Sequence, residues 1–387
     1  MLETLAISGY RSIRELAVPL QQLNLVTGAN GSGKSSLYRA LRLLAEAAQG
    51  GVIGSLAREG GFDSTLWAGP EKLSAAVRRG EHPVQGTRRS APVALKLGFA
   101  AEQFSYAFEL GLPIPGESAF SGDPQIKCES IWSGARPRPA AMLVQRRNNF
   151  VQSRADDGEW RVLGSELPAF ESMFSWCADP QRAPELLALR ETIRSWRFYD
   201  HFRTDAGAPA RQAQIGTYTP VLSHDGADLA AALQTIREIG DVEALDAAID
   251  DAFPGSSVAI EVSGRRFEVN VQQPGLLRPL AAAELSDGTL RYLLLVAALL
   301  TPRPPQLLVL NEPETSLHPD LLPALGRLIR QATQQSQIIV VSHASRLVSA
   351  LEEDPECNSL HLVKEHGETL IQGASLLDSA RWSWPER

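Results

Sequence analysis

The stretch that most restricts the fold is GANGSGKSS, residues 28–36. An apolar run, LNLVT, precedes it, and SSLYRALRLLAEAAQ follows with apolar residues at helical spacing. Gly28, Gly33, Lys34 and Ser35 satisfy the pattern G-x-x-x-x-G-K-[ST], in the strand–loop–helix context that the pattern requires. The chemistry accounts for the residue types. Glycines let successive backbone N–H groups turn inward around phosphate oxygens, and the helix N-terminus adds partial positive charge. Lys34 can then reach β- and γ-phosphates, and the Ser35 hydroxyl can ligate Mg²⁺. Asn30, Gly31, Ser32 and Ser36 complete the expected cradle for the phosphates of a nucleotide and for Mg²⁺.

A second segment supplies the complementary chemistry. QLLVL, residues 306–310, reads as a short buried strand introduced by the breaker PRPP, and it ends on Asn311-Glu312. A carboxylate at that end of a strand suits a general base that polarises an attacking water, the role expected for Glu312. A helix, DLLPALGRLIRQATQQ, and a second apolar strand, QIIVVSH, complete a βαβ unit of a parallel sheet. Glu312 and His343 then stand at carboxyl ends of strands, where such sheets bind ligands.

ELSDGTLRYLLLVAALL offers a further phosphate-binding device: a hydroxyl, backbone donors and a helix N-terminus at Ser286, Asp287 and Gly288. One nucleotide does not need both this and a complete phosphate loop. A symmetric dimer resolves the surplus, each copy capping the nucleotide held by the other.

With these motifs in order, the sequence resembles the ABC-type ATPase heads of RecF, SMC and OLD-like proteins, most closely the stand-alone RecF-like group. GANGSGKS resembles Walker A and LSDGT the ABC signature loop. LLVLNEPE resembles Walker B with its catalytic glutamate, SLHP (Ser316 to Pro319, including His318) the D-loop, and VVSH the switch-histidine motif. GYRSI resembles the opening strand of such heads, which implies that Arg11 and Ser12 lie near the nucleotide. The resemblance implies an α/β P-loop fold with a mixed central sheet, an N-terminal antiparallel β meander and an inserted α+β lobe. On that basis residues 1–112 and 276–387 form the two halves of the head, and 113–275 the lobe. Two departures stand out. Asn311 occupies the place of the usual Walker B aspartate; its amide oxygen can still accept from a magnesium-bound water, but without charge it should hold the ion less firmly. No glutamine is assigned as the Q-loop residue.

Composition limits the remaining choices. At 387 residues, with 44% apolar and 21% charged residues, the chain has material for a large core. No apolar run reaches membrane-span length, and TPRPP cuts off the longest one, so no membrane role is expected. Absence of a leader-type N-terminus and widely spaced Cys128, Cys177 and Cys357 lead to the expectation of a reducing cytoplasm. A net charge of −8 argues against a chain coated in nucleic-acid-binding charge; Arg78-Arg79, Arg88-Arg89, Arg146-Arg147 and Arg265-Arg266 could form a basic face, but a solvated mixed-charge surface is the preferred reading of any one cluster. In WRFYDHFRTDAG (196–207) aromatics interleave with basic residues; core aromatics flanked by solvated arginines are the preferred reading over a nucleic-acid surface. His201 and Asp205 lack any nucleophile motif and are expected to be structural. The stretch after His343 is too short for the nuclease domain of OLD-type proteins, so cutting activity would come from a partner. Two functions share this head: an ATP-dependent dimer working on or with DNA in repair or fork maintenance, and a defence or toxin-system ATPase regulating a separately encoded effector or nuclease.

Overall fold

The computed structural model describes residues 1–70, 94–177, 179–373 and 382–386, so Arg78-Arg79 and Arg88-Arg89 lie outside the described residues. The chain divides into two compact units. One comprises Met1–Gln21, Thr27–Ser195 and Leu360–Arg387; the other comprises Gln22–Val26 and Trp196–Ser359.

The first unit is built on an eight-stranded antiparallel sheet. Its members come from β1 (Leu2–Tyr10), β2 (Ile13–Pro19), β4 (Ala94–Ala101), β5 (Phe104–Gly111), β6 (Gln125–Ser133), β7 (Met142–Arg147), β8 (Phe150–Arg154) and β9 (Trp160–Gly164), in the order β2-β1-β4-β5-β6-β7-β8-β9. The expected lobe boundary at 112/113 falls in the β5–β6 connection, inside this sheet. The expected N-terminal antiparallel strands are present in β1 and β2, and β4 and β5 extend them. β3 (Leu23–Gly28) leaves the antiparallel sheet and joins a parallel one. Its Leu23, Asn24, Leu25 and Val26 are all buried, the pattern of a strand covered on both faces rather than one alternating between core and water. Trp132, buried with Ala107 and Met142, packs against Trp382 of the tail, ring centroids 5.7 Å apart.

In the second unit, β10 (Arg197–Tyr199) is followed by a small antiparallel sheet of β11 (Gln214–Ile215), β12 (Ser257–Ser263), β13 (Arg266–Gln272) and β14 (Leu280–Ala281). Then come β15 (Leu307–Asn311) and β16 (Gln337–Val341). Parallel strands run in the order β10-β15-β16-β3. Register sets the strand ends level, with Asn311 opposite Val341 and Val341 opposite Val26. The helix Asp287–Leu299 is buried from Leu290 to Leu299 and packs against helices Leu229–Ile239, Val242–Ala252 and Leu322–Ala332. Among the described residues no helix is long and apolar enough to cross a membrane. β17 (Cys357–Glu365) and β18 (Glu368–Ile371) form a hairpin turning on His366-Gly367, both at positive φ; from Leu360 onward this hairpin belongs to the first unit.

Candidate active site

The phosphate loop continues directly from β3 and ends where the helix Lys34–Ala47 begins. Gly28 and Gly33 are required for two reasons at once. Their φ angles are 143° and 110°. A Cβ on Gly28 would also meet the Leu362 carbonyl oxygen at 2.4 Å, and one on Gly33 would meet Thr369 Oγ1 at 2.1 Å. Lys34 is buried and curls back over the loop, its Nζ donating to the carbonyls of Gly28 (2.6 Å) and Ala29 (3.2 Å). Asn30, Gly31 and Ser35 are exposed at the loop surface, whereas Ser32 and Ser36 are buried.

A residue that the motif does not name holds this loop in place. Thr369 of β18 is fully buried; its Oγ1 donates to the Ser32 carbonyl (2.9 Å) and shares a 2.8 Å hydrogen bond with Ser12 Oγ. Ser12 Oγ also lies 3.3 Å from Ser36 Oγ, so Ser12 stands beside the helix start. Arg11 does not point freely toward the loop. Its guanidinium is held by Glu59, with Nη2 at 2.5 Å and Nε at 3.0 Å, and Tyr10 donates to the same oxygen. Burial and that carboxylate push the Tyr10 hydroxyl pKa well up.

The second cluster gathers where β15 and β16 end. Glu312 takes φ 48° and donates its N–H to the Val341 carbonyl at 2.8 Å, extending the ladder by one bond past Asn311. Glu314, two residues on, is buried. Its Oε1 accepts from Ser342 Oγ (2.8 Å) and from the His343 N–H (3.0 Å), and lies 3.4 Å from His343 Nδ1. His343 Nδ1 is 4.0 Å from Glu312 Oε1, and both of these side chains are about half exposed. Arg291, buried on the helix Asp287–Leu299, donates to the backbone carbonyls of Phe202 and Glu312. Desolvation lowers its pKa against the opposing pull of Glu314, Asp200 and Glu312. Thus one buried carboxylate fixes the histidine, and one buried guanidinium reaches the backbone of the glutamate. Neither Glu314 nor Arg291 was anticipated; the only sequence trace of the first is the Glu-Pro-Glu spacing.

Ser286 caps the helix Asp287–Leu299, its Oγ accepting from the Thr289 N–H at 3.1 Å, and Asp287 pairs with Arg211. Ser316 takes φ 64°, and exposed His318 accepts from the Asp320 N–H, opening the turn Pro319–Leu321. The other candidates separate cleanly. Arg146 is fully buried against Glu129 and belongs to no basic surface, while Arg265 and Arg266 are exposed. Trp196, Phe198, Tyr199 and Phe202 are buried, and Arg203 pairs with Asp205, so 196–207 is core with solvated charges.

Residues 23–349 match the sequence model of a family described as "AAA domain, putative AbiEii toxin, Type IV TA system". The chain belongs to that family. This AAA-domain protein is also 36% identical over 90 residues to the "DNA replication and repair protein RecF" of Idiomarina loihiensis, an alignment covering 23% of this chain and 23% of that relative. Among solved structures it is similar to an SMC head bound to the C-winged helix domain of ScpA, at TM-score 0.50, 13% identity and coverage of 97% of this chain and 98% of the other. An SMC head with an extended coiled coil bound to the C-terminal domain of ScpA, derived from Pyrococcus furiosus, matches at TM-score 0.50 and 12% identity, covering 97% and 96%. The fold is that of an ABC-type ATPase head, and the family to which the chain belongs is one of AAA domains.

Proposed function

We propose that this chain binds Mg-ATP on its phosphate loop, closes with a second copy around two nucleotides, and reopens by hydrolysis through Glu312. The carrying observation is that β15 and β16 end level with β3, and that Glu312 and His343 follow the first two. In this reading Lys34 offsets charge on the β- and γ-phosphates, and Glu312 accepts the proton of the attacking water as its oxygen bonds to the γ-phosphorus and the bond from that phosphorus to the bridging oxygen breaks, leaving ADP and inorganic phosphate. His343, oriented by Glu314, contacts the γ-phosphate. In the second copy, Ser286, Asp287 and Gly288 cap the same nucleotide, with Ser316 and His318 alongside.

The donor set fits magnesium. Ser35 presents an exposed hydroxyl in the first helical turn, and Asn311 presents a partly buried amide oxygen at the end of β15; both are hard oxygen donors. Magnesium, when bound, neutralises negative charge developing on the transferring phosphoryl group. The neutral Asn311 makes binding weaker, so Asn311→Asp should lower the Mg²⁺ concentration for half-maximal turnover.

Alignment with RecF over 90 residues supports work on or with DNA, in repair or replication maintenance. The family description favours a second reading, a defence or toxin-system ATPase that controls a separately encoded effector. Phosphate release from purified protein, with and without duplex or gapped DNA and with Lys34→Ala and Glu312→Gln as controls, tests both. Turnover absent in the two variants and raised by DNA supports the first. Turnover indifferent to DNA but raised by the product of a neighbouring gene supports the second. Release equal to that of both variants in every condition would leave a nucleotide clamp without hydrolysis.

A further inference from the structure

Arg211 closes the short turn Pro209–Arg211, and its guanidinium is almost wholly buried. Nε donates to the Thr204 carbonyl at 2.8 Å. The rest of the fork is directed at one neighbouring segment. Nη1 faces the carbonyls of Ala282 (3.1 Å), Ala283 (3.4 Å) and Leu285 (2.7 Å), and Nη2 donates to Asp287 Oδ1 at 2.6 Å. Residues 282–287 therefore wrap around a single cation just where the chain enters the Ser286-Asp287-Gly288 loop. On the far side, Gly288 lies so close to the Ser316 carbonyl oxygen that a Cβ would come within 2.9 Å.

Asp287 makes this arrangement informative. Its carboxylate is 60% exposed, beside backbone donors that would otherwise suit a phosphate. An uncompensated negative charge there would repel a polyphosphate. A guanidinium bonded to the carboxylate cancels the charge, and its fixed fork sets the direction of the loop in a way an ammonium cannot.

We infer that Arg211 is the positioning residue of the signature loop, orienting Ser286 and Gly288 and neutralising Asp287, so that the loop caps the nucleotide carried by a second copy of the chain. This inference rests on the ATP-closed dimer proposed above. Arg211 touches no nucleotide itself. Its effect is exerted in trans, through the partner copy's site.

The test uses the full chain. Arg211→Gln should bind ATP as tightly as wild type while turnover falls about tenfold or more, the scale of loss when a capping group is misplaced. An equal mixture of Arg211→Gln with Lys34→Ala should turn over faster than the sum of the two alone, because one composite site then has an intact phosphate loop and an intact signature. The double variant Arg211→Gln Asp287→Asn should recover part of the lost turnover, since the uncompensated charge is gone; a purely structural role would not produce that recovery. No gain on mixing and no recovery on neutralising Asp287 would overturn the assignment. If Arg211→Gln does not fold, Arg211→Lys and the single Asp287→Asn, whose side chain is exposed, carry the same comparison. Failure of the dimer reading would look different: wild-type protein would stay monomeric with ATP, and its specific turnover would not depend on protein concentration.

Discussion

The phosphate loop and the Glu312 turn both hold backbone in the left-handed region, and they do so by opposite means. In the loop the positive φ angles fall on Gly28, Gly31 and Gly33, where no side chain resists them. Apart from the adjoining Lys34, which bonds to the Gly28 and Ala29 carbonyls, the groups that pin it are neutral: Ser12 and Thr369 hydroxyls and backbone carbonyls. In the turn the positive φ angles fall on Glu312 and Ser316, which adopt them at an energetic cost. What holds that turn is buried charge, Glu314 beneath His343 and Arg291 behind the Glu312 carbonyl. A loop that only has to present N–H groups can use glycine. A turn that must present a carboxylate at a fixed point cannot, so the surrounding structure has to enforce its conformation.

The largest expected effect comes from the side chain that the turn exists to present. Glu312→Gln keeps the shape and removes the base. Turnover should drop by about 100- to 10,000-fold while ATP affinity stays near wild type. Single-turnover phosphate release beside equilibrium nucleotide binding separates the two quantities. Loss of both together would mean that Glu312 holds the turn rather than the water.

Next in size is Gly33→Ala. It meets both penalties described for the loop, a φ of 110° and a contact of 2.1 Å with Thr369 Oγ1. Left-handed backbone alone costs about 1–3 kcal/mol, so ATP affinity should fall at least about tenfold, with the clash adding to that. Normal affinity in Gly33→Ala would show that the loop is as externally enforced as the turn, which erases the contrast.

The same contrast explains what could be read from the sequence. Where conformation is secured by glycine, the requirement is written locally: Gly28, Gly33 and Lys34 are found by spacing, and the structure brings Ser12 to the helix start beside them. The parallel βαβ unit was legible for a similar reason, because LLVL and IIVV are apolar throughout, as strands covered on both faces must be. Where conformation is secured by distant charge, spacing carries nothing. Thr369 is separated from Ser32 by nearly the whole chain, and Arg291 looks like one more residue of an apolar helix. Arg146 misled for the complementary reason: its charge reads as surface, but Glu129, Tyr106 and Ser172 share one buried hydrogen-bonded cluster with it. A short strand after two antiparallel ones is easily taken for a third meander strand, whereas the unbroken burial of β3 marks a central parallel strand.

Thr369→Val addresses the neutral pins of the loop. The substitution keeps the volume but removes the hydroxyl that serves Ser12 and the Ser32 carbonyl. A net hydrogen bond contributes about 1 kcal/mol, so ATP affinity should weaken by about fivefold with turnover at saturation little changed. Removing the pin beneath His343 should instead act on turnover, so Glu314→Gln is expected to lower kcat while leaving affinity alone. An affinity loss in Glu314→Gln, or a kcat loss in Thr369→Val, would show that the two regions do not divide the work in this way.

The smallest effect is the most direct measure of strain. Glu312→Gly and Glu312→Ala both abolish the base, so activity cannot distinguish them, but only glycine accepts φ 48° without penalty. Glycine also gains entropy in the unfolded chain, which subtracts from the benefit. The balance should leave Glu312→Gly more stable by under about 1 kcal/mol, a rise in melting temperature of roughly 1–2 °C over Glu312→Ala for a chain of this size. The parallel substitution in the loop, Gly31→Ala, has open space around its Cβ and φ 81°, so it isolates backbone strain without a clash. It should lower the melting temperature by a similar margin. Equal magnitudes with opposite signs would mean that both regions pay the same conformational term and differ only in which residue type bears it. Coincident melting of Glu312→Gly and Glu312→Ala would mean that the turn is relaxed, and that Arg291 and Glu314 orient its side chains without forcing its backbone.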